Sequence, residues 1–160
     1  MISKRLIVGL IVEQLTEQLT TLAGVSRAMH ADASDEQSKP EDKYDTRGLE
    51  TAYLASSQAR MATETEQALA VYQNLELQKF PAKSPIDVTA LVELESNGAR
   101  TLHFLGPKGG GLELRHKKTE ILVITPESPL GQQLLGKKVG DLVKFQTRGP
   151  AQEYRVTAVS

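Results

Sequence analysis

The hydrophobic period changes once along this chain, at Pro81 and Pro85, and that change constrains the fold more than any other feature. Before it, Ile7, Ile11, Leu15, Leu19, Leu22, Val25 and Met29 recur at steps of three and four, which lays one apolar stripe along a helix over Leu6–Met29. A second helix is predicted from the Ser38-Lys39-Pro40-Glu41 capping box, with proline in its first turn. It is expected to run to Leu77 or Phe80, with Leu49, Ala52, Ala55, Ala59, Ala62, Leu69, Tyr72 and Leu75 on its inward line. Small side chains on that line let two helix axes approach closely, so the partner is expected to be the first helix, antiparallel.

After the prolines the alternation becomes that of strands. Ile86, Val88, Ala90, Val92 and Leu94 alternate with polar residues up to the Asn97-Gly98 turn, and Arg100–Leu105 returns. Gly106–Gly111 reads as a loop, Leu112–His116 and Thr119–Thr125 as short strands, and Ser128-Pro129 as the start of a short helix reaching about Leu135. Leu142–Thr147 and Glu153–Val159 form a last strand pair around Gly149-Pro150. The expected class is α+β: a helical hairpin in 1–80, a linker in 81–85, and a small β-rich domain with one short helix in 86–160.

Between the two helices lies Asp32–Asp45, the expected tip of the hairpin. Asp32, Asp35, Glu36, Glu41, Asp42 and Asp45 face only Lys39 and Lys43 there, leaving the stretch four charges negative. The whole chain carries a net charge of -1, so any electrostatic partner must be met locally. From Lys83 to Arg155 the basic residues exceed the acidic ones by three, without the interleaved aromatics of a nucleic-acid surface. Cysteine is absent, which excludes disulfides and thiolate metal sites. His30, His103 and His116 are scattered rather than paired at ligand spacing. The apolar run Leu6–Val12 is too short to span a bilayer and lacks a cleavage site, so a cytoplasmic protein without membrane attachment is expected.

The run Ser128-Pro129-Leu130-Gly131-Gln132-Gln133-Leu134-Leu135-Gly136-Lys137-Lys138-Val139-Gly140-Asp141, followed by Glu153-Tyr154-Arg155-Val156, resembles the C-terminal domain of the bacterial GreA/GreB transcription elongation factors. The helical hairpin with its acidic tip is similar to the coiled coil of that family. The resemblance implies an FKBP-like C-terminal fold and a monomer that binds bacterial RNA polymerase. It implies a coiled coil inserted into the polymerase's secondary channel, with nucleic acid met only inside the transcription complex. It also implies that Ser128 and Pro129 face the polymerase, and that tip carboxylates help hold a Mg²⁺ shared with the polymerase while backtracked RNA is cleaved. The factor has no catalytic residue and no cofactor of its own on this reading.

Glu41 falls on the second acid of the family's tip pattern and Asp42 lies beside it, whereas Ser38 stands where the first acid belongs. A hydroxyl is a poor Mg²⁺ ligand beside a carboxylate. Either Asp42 or Asp35 compensates, or the tip, with Glu36, Ser38, Tyr44 and Asp45, occupies the channel without supporting cleavage. Two other classes remain as alternatives: an FKBP-like prolyl isomerase or chaperone, disfavoured because Phe104, Phe145 and Tyr154 are the main aromatics of the domain, and a coiled-coil protein that oligomerises through Leu6–Met29.

Overall fold

The computed structural model describes residues 2–33, 47–146 and 149–160. These form two compact units, Met1–Ile11 with Asn74–Ser160, and Val12–Gln73.

Two helices, α1 (Lys4–Ala33) and α2 (Arg47–Gln73), make the helical hairpin. Ile7, Ile11 and Leu15 on α1 are buried, Leu19 and Leu22 half-buried, and Val25 exposed, so the predicted stripe is used at its start and released along its length. By length and composition Lys4–Ala28 is apolar enough to cross a membrane, a property the short run Leu6–Val12 did not announce. Within that segment Ile7, Ile11 and Leu15 are buried, and Glu13 and Glu17 stay exposed.

The inward line of α2 follows the sequence expectation only in its C-terminal half. Leu49, Ala52, Ala55 and Ala59 are exposed, whereas Ala62, Leu69 and Tyr72 are covered as expected, joined by Gln58, Thr65 and Ala68. Nor do the small residues close the helices together throughout. A groove of about 470 Å³ remains between Leu19, Leu22 and Ser26 on α1 and Gln58, Ala59 and Ala62 on α2. The carbonyl oxygen of the Gln58 side chain is buried there without a hydrogen-bond partner. The capping box at Ser38–Glu41 lies outside the described residues.

α2 stops at Gln73, short of Leu77, because the next residues are claimed by the β-rich unit. Lys4 Nζ donates to the Gln78 carbonyl at 2.6 Å and sits 4.6 Å from the centre of the Phe80 ring. The Gln78 amide donates to Thr89 Oγ1 at 3.0 Å. Burial lowers the Lys4 pKa. Gln78 and Phe80 are therefore held by side-chain contacts.

Among the described residues six strands form one mixed sheet: β1 (Leu91–Ser96), β2 (Ala99–Leu105), β3 (Glu113–His116), β4 (Thr119–Ile124), β5 (Leu142–Phe145) and β6 (Gln152–Val159), in the order β3-β4-β2-β1-β6-β5. Only β2 and β4 run parallel. The first strand begins five residues later than the alternation from Ile86 implied. Ile86 is held by the loop that follows the short helix, its amide donating to the Lys137 carbonyl and its carbonyl accepting from the Gly136 amide. Thr89, at φ 74°, then turns the chain, a conformation uncommon outside glycine, before the ladder can start.

The short helix α3 (Pro129–Leu134) packs Leu130 and Leu134 on the sheet face that carries Val92, Leu94, Leu105, Ile124, Val143 and Val156. The opposite face presents Leu91, Phe104, Leu114, Ile121 and Val123, all buried. Both faces are apolar, so a strand such as Ile121–Ile124 loses its alternation and reads as a continuous hydrophobic run.

Candidate functional site

The tip acids Glu41 and Asp42, and with them Asp35, Glu36, Ser38, Tyr44 and Asp45, lie outside the described residues. Among the described residues no cluster of three His, Asp or Glu is placed to hold a metal. The site that can be built is the one around Ser128 and Pro129.

Ser128 is extended, at φ -66° and ψ 150°, and caps α3, while Pro129 occupies the first turn, where its missing amide costs nothing. The Ser128 hydroxyl donates to the Thr125 carbonyl at 2.7 Å and accepts from the Gly131 amide at 3.0 Å. The Ser128 amide donates to the same Thr125 carbonyl at 3.0 Å. One carbonyl thus gathers the turn. Gly131 completes it, because a Cβ there would stand 1.9 Å from the Thr125 oxygen. Ser128 and Gly131 belong to one built turn, and the signal for Gly131 in sequence was its position three residues after the cap.

This turn forms one rim of a cleft of about 450 Å³ on the α3 face of the sheet. Leu94 of β1, His103 of β2 and Leu122 of β4 line it, with Phe145 and Tyr154 from the other side. His103 was set aside in sequence as an isolated histidine. Register places it beside Val92 and Leu122, two aliphatic neighbours, so it enters an apolar floor. Burial lowers its pKa to about 4, and its Nδ1 has no hydrogen-bond partner. A neutral imidazole in an apolar cleft is the result.

Two basic side chains of the sheet are engaged by neighbouring carboxylates. Arg100 pairs with Glu93 at 3.3 Å and Glu95 at 3.5 Å, and Arg115 pairs with Glu120 at 3.1 Å. These ion pairs lie at the surface, where such contacts contribute little.

Residues 83–160 match the family model described as "Transcription elongation factor, GreA/GreB, C-term". A 37-residue stretch is 49% identical to transcription elongation factor GreA of Thermotoga neapolitana, covering 23% of this chain and 24% of that protein. A 36-residue stretch is 50% identical to GreA of Thermotoga maritima. The matched stretch spans about a quarter of the length of these curated relatives.

Among solved structures, GreA factor homolog 1 of Thermus thermophilus is 20% identical with a TM-score of 0.40, over 93% of this chain and 94% of that one. The corresponding protein of Thermus aquaticus is 24% identical with a TM-score of 0.40, over 92% of each. TM-scores of that size identify neither a shared site nor a function. The prolyl isomerase alternative finds no support among these relatives.

Proposed function

We propose that this chain is a transcription elongation factor of the GreA/GreB family that binds bacterial RNA polymerase, a reading supported by the match of residues 83–160 to that family's C-terminal domain. Ser128 and Pro129 meet the polymerase on this reading, and the helical hairpin enters its secondary channel. The observation that carries the proposal is the family match itself, which includes the whole Thr125–Gly131 turn. A capped, glycine-closed turn presents Pro129 in one conformation, and preorganisation of that kind lowers the ordering cost of association.

Carboxylates are the oxygen donors that Mg²⁺ prefers, and Glu41 and Asp42 would lend them to an ion shared with the polymerase. That ion would supply Lewis-acid charge to phosphoryl transfer, and the bond-breaking machinery belongs to the polymerase rather than to this chain. Ser38 favours a second reading of the same docking. With a hydroxyl in place of one carboxylate, the tip fills the channel and modulates the polymerase without supporting cleavage.

Both readings are tested by RNA cleavage in a purified, backtracked polymerase complex at limiting Mg²⁺, with the Glu41→Ala, Asp42→Ala double variant alongside. Stimulation that disappears in the variant supports the cleavage factor. Competition with an authentic GreA in the absence of stimulation supports the channel-occupying modulator. The absence of both stimulation and competition would sink the polymerase assignment.

A further inference from the structure

The cleft beside Ser128 has features that the polymerase reading does not use. None of its lining residues is Lys, Arg, Asp or Glu, and Leu94, Leu122, Phe145 and Tyr154 give it apolar walls. Its volume of about 450 Å³ is that of a site for a small molecule. On its floor His103 is only 8% exposed, and the Nδ1 atom, closed off from solvent, lacks a partner. A polar atom left unpaired in an apolar surround is unfavourable, and anything entering the cleft that hydrogen-bonds to it relieves that penalty. Rotation of the ring by half a turn about Cβ–Cγ, a broad two-fold torsion, exchanges the positions of Nδ1 and Cδ2, which gives an incoming group a route to the enclosed nitrogen. The neutral ring offers one donor and one acceptor, so it can serve an amide, a hydroxyl or a carbonyl equally.

We propose that this cleft binds a small, uncharged, planar molecule that carries one polar group, with the polar group paired to the His103 imidazole and the ring laid against Phe145 and Tyr154. A charged ligand is disfavoured because no residue in the lining offsets the desolvation of its charge. The site does not depend on the polymerase reading, since its evidence is the cleft and the unpartnered nitrogen alone.

The test is a titration of the full chain, labelled with ¹⁵N, with benzamide and with its charged counterpart benzoate, followed by NMR. Benzamide is expected to shift the amides of Gly110, Gly111 and Leu122 and the His103 ring nitrogens, saturating with a dissociation constant on the order of 1 mM. Benzoate is expected to bind at least about tenfold more weakly. His103→Phe keeps the apolar floor and is expected to weaken benzamide about fivefold or more, as the polar pairing is lost. Should that variant fail to fold, Thr101→Trp, at an exposed position on the rim, is expected to fill the cleft and abolish the shifts. The proposal is overturned by the absence of saturable shifts at the cleft, by equal affinity for benzoate, or by unchanged benzamide binding in the folded His103→Phe or Thr101→Trp protein.

Discussion

The helical unit, Val12–Gln73, and the β-rich unit spend their apolar residues in opposite ways. In the β-rich unit both sheet faces are buried, and side chains such as Phe104, Leu105, Leu134 and Val92 are fully enclosed. Among the described residues of the helical unit the fully buried hydrophobic side chains are Leu15, Ala68 and Tyr72, and Leu49, Tyr53, Leu54 and Met61 stand exposed. A single pair of helices can cover only one stripe of each, whereas a sheet with both faces covered encloses whole side chains. One unit is therefore expected to tolerate substitution nearly anywhere off its stripe, and the other almost nowhere in its core.

The sharpest way to break that contrast is a matched pair of truncations. Leu134→Ala removes a fully buried side chain and is expected to cost about 2–5 kcal/mol, while Leu54→Ala, at a half-exposed position, is expected to stay within about 0.5 kcal/mol. Urea unfolding of both variants decides it. Equal costs would mean that the exposed side chains of α2 are covered in solution.

Next in size is Gly131→Ala. The added Cβ meets a backbone oxygen that cannot move without dismantling the Ser128 cap, so a loss of about 3 kcal/mol is expected, read as a lowered melting temperature. Gly24, in α1, has open space where a Cβ would go, and Gly24→Ala is expected to raise stability by about 1 kcal/mol. The same substitution thus has opposite signs in the two units, and a stabilised Gly131→Ala protein would contradict the geometry of the turn.

His103 supplies a pH dependence of comparable total size, spread over a wide range. Its folded pKa, lowered by burial to about 4, lies below the ordinary value of 6.5, so the unfolded chain binds more protons between those values. Stability from this group is fully present above pH 6.5 and is lost as pH falls toward 4, by about 3 kcal/mol in all. Comparing the urea midpoints of wild type and His103→Leu from pH 7 to pH 4 isolates it, since the carboxylates titrate alike in both. Parallel curves would show that the imidazole is solvated.

A smaller loss concerns the cap. Ser128→Ala removes a hydroxyl that serves both Thr125 and Gly131 and is expected to cost about 1 kcal/mol in thermal or urea unfolding. An unchanged midpoint would mean that Pro129 and the Gly131 packing hold the turn without it.

Much of the architecture was legible before any coordinates. The stripe from Ile7 to Leu22, the Asn97-Gly98 hairpin, and the Ser128-Pro129 start of α3 are local signals, each set by neighbours within a few residues. The places where sequence reading failed share a cause. α2 ends at Gln73 because Lys4 and Thr89 take up the backbone of Gln78. β1 starts at Leu91 because Ile86 is tied to the loop after α3. Partners 74 and about 50 residues away leave no trace in a local pattern.

The order β3-β4-β2-β1-β6-β5 and the parallel pairing of β2 with β4 were equally invisible, since alternation reports which residues share a face but not which strand lies alongside. The same holds for His103. The sequence by itself determined the class of the chain, the capped turn and the carboxylate-rich stretch, because propensity, periodicity and charge are properties of short segments. Only the tertiary structure decided that Thr125 and Gly131 lock that turn and that an unpartnered imidazole lies on the floor of the cleft beside it, because burial and hydrogen-bond satisfaction depend on groups that the chain brings together from far apart.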